Sequence, residues 1–197
     1  MQRSARTSNK MDDQIAFLQE FLKNPRQVAS IIPSSRFLER RVVDLAEIPS
    51  ARTIVDLGSG TGGITRAILA AMPACAKLLS IEINQRFYDL LGRIEDTRLV
   101  AHCGSAHELR ETLALYDLPP PDVVISGIPF STMNRPMGSR ILETISSVLT
   151  PGGRFVAYQV SKQIENLSHP FFGSAQVALE VLNIPPLRLY RWEKQAA

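Results

Sequence analysis

Two short stretches hold the residues best suited to chemistry. In VDLGSGTGG, Gly58, Gly60 and Gly62 follow an apolar run and open a helical pattern. Glycines at such a junction permit left-handed backbone and let main-chain N–H groups approach a ligand at a helix N-terminus. Asp56 precedes them, Ser59 lies among them, and Glu82 ends the next apolar run 20 residues after Gly62, with Ile83 following it. A carboxylate at that spacing can accept two hydrogen bonds from the hydroxyls of a ribose. The second stretch, SGIPF, puts Ser126, Gly127, Ile128, Pro129 and Phe130 at the end of another apolar run. No Asp, Glu or His lies in SGIPFSTM, so the segment offers an apolar wall and backbone carbonyls rather than an acid or a base.

These residues need a scaffold that brings strand ends side by side. Short runs rich in Val, Ile and Leu alternate with helical patterns, as in βαβ units around a parallel sheet. The sequence predicts strands at TIVDLG, LLSIEI, RLVAHC, DVVISG and RFVAYQV, with helices near 62–71, 84–93, 106–113 and 136–148 and another near residue 163. QVALEVL and LRLYRWEK follow, joined by NIPP, a link short enough for an antiparallel hairpin. In an open sheet of this kind, ligands lie across the carboxyl ends of the strands.

Composition removes several function classes. At 197 residues and 45% hydrophobic, the chain suits one α/β domain with a full core. Pro73 and Lys77 break the longest apolar stretch, so no segment reaches the ~20 residues that span a bilayer. The start MQRSARTSNK lacks the apolar region of a secretory signal, and a cytoplasmic location is expected. Cys75 and Cys103 fit reduced thiols, and His102, His107 and His169 do not gather with them, so no metal site is expected. A net charge of +3 and a pI near 9.1 favour anionic partners without choosing between nucleic acid and a membrane surface.

The element order, five parallel strands closed by a hairpin, resembles the S-adenosylmethionine-dependent methyltransferases, and the Gly-x-Gly-x-Gly spacing looks like their first motif. The resemblance implies an α/β, Rossmann-like seven-stranded fold. Its sheet would be mostly parallel with an antiparallel last strand and helices on both faces. The implied cofactor is S-adenosylmethionine, with S-adenosylhomocysteine as product. The resemblance also places Gly104, Ser105 and Ala106 beside the adenine. Ser105 stands where the family commonly has an acid, and a hydroxyl is a weaker, neutral acceptor. His107 and Glu108 are expected as solvated first-turn residues. Ser126 to Phe130 would lie beside the transferable methyl group. SGIPF resembles the Asn-Leu-Pro-Tyr motif of amino-methylating enzymes, with Ile128, Pro129 and Phe130 matching and Gly127 in the place of Asn. An adenine amino nitrogen is delocalised into its ring, and its enzymes use a side-chain carbonyl to activate it and an aromatic residue to stack the flipped base. Gly127 has no such carbonyl, whereas an aliphatic amine is a good nucleophile once deprotonated.

FLQEFLKNPRQVASIIPSSRFLERRVV, SGIPFSTM, LTPGGRFVAYQVS and LNIPPLRLYRW together resemble the bacterial phospholipid N-methyltransferases, from about Phe17 to Trp192. That resemblance implies methylation of phosphatidylethanolamine, in up to three steps, toward phosphatidylcholine. It implies a peripheral protein on the inner face of an anionic membrane, with nucleic acid not expected as a partner. The whole chain, 1–197, would be a single methyltransferase domain, with a flexible basic tail over 1–10 and a helical cap or membrane-contacting region over 11–50. Tyr158, at the end of the fifth strand, matches a family aromatic near the acceptor and can hold a cationic headgroup by a cation–π contact. Pro33 to Ser35 are placed near the cofactor's methionine end. Ile15, Phe17, Leu18, Phe21 and Leu22 form an apolar stripe at helical spacing, which suits either a lipid interface or a lid on its own domain. PSSRFLERRVVDLA begins with a serine N-cap and exposes Arg36, Arg40 and Arg41. The catalytic candidates are Tyr158, Ser126, Ile128, Pro129 and Phe130. The alternatives are a small-amine methyltransferase and a ribosomal RNA adenine dimethylase. The latter usually adds a helical RNA-binding domain after the last strand, where this sequence has five residues after Trp192.

Overall fold

Strand β1, Thr53–Leu57, is buried at all five positions, as a strand covered by helices on both faces must be. The computed structural model, which describes residues 35–183 and 186–195, places β1 inside a seven-stranded sheet, next to the central strand. The remaining strands are β2 (Lys77–Glu82), β3 (Leu99–Cys103), β4 (Val123–Ser126), β5 (Arg154–Gln159), β6 (Gln176–Glu180) and β7 (Leu187–Glu193), in the order β3-β2-β1-β4-β5-β7-β6. β1 to β5 are parallel. β7 inserts antiparallel between β5 and β6, so the expected terminal hairpin is present and its second strand closes the parallel sheet.

Alternation along β1 divides the interior. Val55 and Leu57 join one apolar core with α4 (Leu109–Leu115), α5 (Arg135–Val148) and α6 (Gln163–Phe172), and Ile54 joins a second core with α1 (Arg36–Ala46) and α2 (Gly63–Ala71). A sixth helix among the described residues, α3 (Gln85–Leu91), follows β2. Helix α1 starts where the sequence predicts: the Ser35 hydroxyl accepts the Leu38 N–H at 3.2 Å, and Arg36, Arg40 and Arg41 are exposed. In the first core Trp192 stacks on Phe155 and Tyr190, with ring centroids 5.0 and 5.6 Å apart, which anchors β7 against β5.

No helix among the described residues is long and apolar enough to cross a membrane, and no group of three or more His, Cys, Asp or Glu is arranged to hold a metal. Both cysteines are free and exposed. The basic tail, the apolar stripe from Ile15 to Leu22, and Pro33 and Ser34 lie outside the described residues.

The strand order reverses between β1 and β4, each of which continues the sheet on its own side. Crevices outside the carboxyl ends of strands at such a reversal are where open α/β sheets bind ligands. The two chemically suggestive stretches, after β1 and after β4, meet there.

Candidate functional site

The turn after β1 uses backbone that favours glycine: φ is 74° at Gly58, 54° at Gly60 and 80° at Gly62. Gly58 also lets the two stretches touch. A Cβ there would lie 3.0 Å from Ile128 Cγ1 and 3.3 Å from the Ile128 nitrogen. Glu82, only 6% exposed, holds the turn from the neighbouring strand, its Oε2 accepting the Gly60 N–H at 2.8 Å and its Oε1 the Asn84 N–H at 2.9 Å. Each oxygen keeps a further lone pair for a ligand hydroxyl. Burial pushes this carboxyl above its ordinary range, and the backbone donors pull it partly back. Ile83, next in sequence, is 39% exposed.

Asp56 is fully buried; its Oδ2 accepts the Thr65 hydroxyl at 2.7 Å, while its Oδ1 has no partner. Desolvation pushes its carboxyl up to about 6, against the hydrogen bond from Thr65. An orphaned carboxylate oxygen at this depth suits a cationic ligand group, such as the amino group of an amino acid. Ser59, which lies among the glycines, turns its side chain inward. Its hydroxyl donates to the Asp56 carbonyl at 3.2 Å and bonds the Ser80 hydroxyl, so it faces into the fold.

Sheet register aligns Leu57, Ser126 and Ala157 across β1, β4 and β5. One position further on come Gly58, Gly127 and Tyr158. The Tyr158 hydroxyl lies over Gly127: a Cβ on Gly127 would collide with it and would sit 2.7 Å from Tyr158 Cζ and 3.0 Å from the Gly58 carbonyl oxygen. The glycine in the place of Asn is therefore required by this tyrosine, whose oxygen occupies the room an Asn side chain would take. Among the described residues the Tyr158 hydroxyl makes no hydrogen bond. Burial, reinforced by the charges of Asp56 and Glu82, raises its pKa far above the ordinary phenol value. A hydroxyl held so firmly protonated does not serve as a base. It remains a hydrogen-bonding group and an aromatic face.

The carbonyls of the second turn are not equivalent. Gln159 Nε2 donates to the Ile128 oxygen at 2.7 Å, and the Pro129 oxygen accepts from the N–H and hydroxyl of Thr132 at 3.0 and 2.9 Å. Gly127 is buried, and its oxygen accepts no hydrogen bond among the described residues, so one backbone acceptor of the turn is left unsatisfied. Ile128 and Pro129 are half-buried at the surface of the turn. Phe130 and Ser126 depart from their expected contact with the acceptor. Both are 0% exposed, Phe130 packing in the core under α5 and α6, and Ser126 accepting the Ile128 N–H at 3.3 Å. They shape the turn from beneath.

On the other side, Ser105 caps the short turn Ala106–Glu108, with its hydroxyl 2.6 Å from His107 Nδ1 and the Glu108 side chain at its N–H in a capping box. Glu108 is exposed as expected, whereas His107 folds back onto Ser105. Ala106 opens that turn and is 6% exposed, and the His102 ring packs over Gly104, its Cδ2 2.7 Å from where a Cβ would stand. Sequence reasoning missed Thr65, Ser80, Thr132 and Gln159. All four act through side-chain contacts for which no spacing rule exists.

No family model matches the chain. It is 28% identical over 185 residues to an ornithine lipid N-methyltransferase of Singulisphaera acidiphila, covering 91% of this chain and 95% of that protein. It is 36% identical over 97 residues to ribosomal RNA small subunit methyltransferase A of Maricaulis maris, but this covers 48% of the chain and 32% of that protein. Among solved structures, an O-methyltransferase from Bacillus cereus in complex with SAH superposes with a TM-score of 0.68 at 15% identity, covering 91% of each chain.

Proposed function

We propose that this chain, a class I S-adenosylmethionine-dependent methyltransferase, transfers methyl groups to the amine of a membrane lipid, and that the lipid is phosphatidylethanolamine and its partly methylated forms, toward phosphatidylcholine. The observation that carries the reading is the exchange at position 127: a glycine overlain by Tyr158, with no side-chain carbonyl to activate an adenine amino group. The similarity to an ornithine lipid N-methyltransferase along nearly all of both chains supports a lipid amine. The similarity to a ribosomal RNA methyltransferase spans half of this chain and favours the second reading, an RNA adenine acceptor.

In this reading, Glu82 would take the ribose hydroxyls, the Gly58–Gly62 turn would present its N–H groups, Ser105 and Ala106 would border the adenine, and Asp56, buried beneath the turn with one oxygen unpartnered, would favour the cofactor's cationic amino group by its charge. When bound, S-adenosylmethionine would supply an electrophilic methyl group on a sulfonium, whose sulfur would keep the S–C electron pair as a neutral amine takes the methyl. The chain's own residues prepare the amine. Ile128 and Pro129 exclude water and disfavour the ammonium form, so the proton is lost as the headgroup enters. The unsatisfied Gly127 carbonyl would accept an N–H of the neutral amine, and the Tyr158 ring flanks the cation that the product becomes.

The test offers labelled cofactor to phosphatidylethanolamine vesicles, ornithine lipid vesicles, RNA and soluble amines. Label in phosphatidylethanolamine, with mono-, di- and trimethylated products by mass, is expected. Label in RNA alone would overturn the proposal.

A further inference from the structure

We infer that Ser105 and His107 together read the 6-amino group of the cofactor's adenine, His107 acting as a positioning residue that leaves the Ser105 hydroxyl able only to accept a hydrogen bond; the inference rests on the cofactor placement in the reading above and adds the means of base selection. A lone hydroxyl cannot make that choice. Its proton rotates freely, so it serves a donor and an acceptor equally well.

The sheet puts Ser105 within reach of the ligand that Glu82 would hold. Cys103 pairs in register with Glu82, and the next residue, Gly104, donates its N–H to the Glu82 carbonyl at 3.1 Å. Ser105 follows directly and is half-buried. The glycine turn after β1 lies on one side of Glu82 and the end of β3 on the other, so a nucleoside held by its ribose at Glu82 would extend its base toward Ser105.

Three contacts fix the hydroxyl. Its oxygen lies 2.6 Å from His107 Nδ1, while His107 Nε2 lies 4.0 Å from Glu108 Oε1. A carboxylate on that side favours the imidazole proton on Nε2, which leaves Nδ1 as a bare acceptor. The Ser105 O–H must then donate to Nδ1. One lone pair of its oxygen goes to the Glu108 N–H in the capping box, and the other stays free. What faces a ligand is therefore an obligate acceptor, in the place where the resembling enzymes have an acid. An adenine amino group donates to it, whereas the 6-oxo group of hypoxanthine brings a lone pair of its own and is repelled. Capping alone leaves His107 without a role. Ser105 caps the turn through Glu108, and the imidazole takes no part in that cap, yet its side chain is only 20% exposed and folds onto the hydroxyl.

The experiment is calorimetric titration of the full chain with S-adenosylhomocysteine and with S-inosylhomocysteine, its 6-oxo counterpart. Both affinities are read in the same variant, so their ratio is insensitive to a partial loss of fold. Wild type should prefer the adenine ligand by about tenfold or more, a matched hydrogen bond against a mismatched one. His107→Leu should lower that ratio by about tenfold, because the freed O–H can turn and donate to the 6-oxo group. His107→Asn, which offers a side-chain carbonyl near the place of Nδ1, should restore the preference. So should Ser105→Asp/His107→Leu, which supplies a carboxylate. Equal affinities in wild type, or a wild-type ratio in His107→Leu, would overturn the inference. If the second outcome came with a ratio lost in Ser105→Ala, the adenine would still lie beside Ser105 and only the part given to His107 would fall. Wild-type affinities for both ligands in Ser105→Ala would put the adenine elsewhere and overturn the cofactor placement as well. No methyl transfer is read, so a failure here leaves the lipid acceptor standing, and a failure of lipid labelling leaves base selection to these titrations.

Discussion

At the amino ends of the parallel strands, Glu47 takes both Arg154 and Arg191, Asp122 accepts the N–H groups of Arg52 and Thr53 at 2.7 and 3.0 Å, and Arg98 joins Asp96 to the last carbonyls of α2. At the carboxyl ends, Asp56 keeps an unpartnered oxygen, Glu82 is buried without a cation, and the Tyr158 hydroxyl has no hydrogen bond among the described residues. The arginines beside Glu47 and Asp96 hold both carboxyls below their ordinary values, whereas burial raises Asp56 and Glu82. One end spends its charges on holding strands together. The Nε atoms of Arg154 and Arg191 are also buried without a partner, so what sets the carboxyl ends apart is that their buried carboxyls meet no cation among the described residues, a condition that costs stability and persists where a ligand completes it.

The largest effect should come from forcing a side chain between Gly127 and Tyr158. Gly127→Asn is expected to reduce methyl transfer by about 100-fold, since a displacement of roughly an ångström at a reacting site costs that much. Adding Tyr158→Ala should recover part of the loss by reopening the space. Single-turnover kinetics of the two variants decide it: equal rates would show that the tyrosine and the glycine are not coupled.

Asp56 gives the next. Its folded-state pKa of about 6 stands above the ordinary 3.8, so its contribution to stability is fully present below about 4 and is lost as pH rises through about 6. The loss is on the order of 2–3 kcal/mol at neutral pH. Urea unfolding of cofactor-free wild type and Asp56→Asn, compared from pH 4 to 7.5, should show the variant gaining relative stability as pH rises across that window. A constant difference would mean that the carboxyl titrates normally.

The acceptor's own proton sets a smaller dependence. An alkyl ammonium has a pKa of about 10.4 in water, and no base stands beside SGIPF, so the single-turnover rate on phosphatidylethanolamine should climb by about tenfold between pH 7 and 9. A flat profile would require a base that the described site lacks.

The smallest effect belongs to the paired end. The Glu47 side chain is 49% exposed, so solvent screens its bridges, and Glu47→Ala should cost about 1 kcal/mol of folding stability. Its rate of methyl transfer should stay at the wild-type value.

Much of this division was legible in the sequence. Strand and helix placement followed from the alternation of apolar runs, because a doubly covered sheet demands continuous Val, Ile and Leu. The glycine turn and Glu82 were legible because backbone φ and strand spacing constrain residue type directly. Phe130, Ser126 and Ser59 were not. Their types suit a ligand wall as well as a core, and only the direction of the side chain separates the two. The hold of Tyr158 over Gly127 was equally hidden, since it joins residues 31 positions apart through strand order rather than spacing. The mirror-image lesson is Glu47: its pairing with Arg154 and Arg191 depends on β7 lying beside β5, which no local pattern reveals.

The most direct test of the division between the two ends is a calorimetric titration of S-adenosylmethionine into wild type, Glu82→Ala and Glu47→Ala, with thermal unfolding of each. Removing Glu82 should weaken binding by roughly 1 to 3 kcal/mol, as two hydrogen bonds to a charged acceptor are lost, while Glu47→Ala binds as wild type and only melts earlier. Wild-type affinity in Glu82→Ala, or a loss of affinity in Glu47→Ala as large as its loss of stability, would contradict the assignment of the cofactor to the carboxyl ends of the strands.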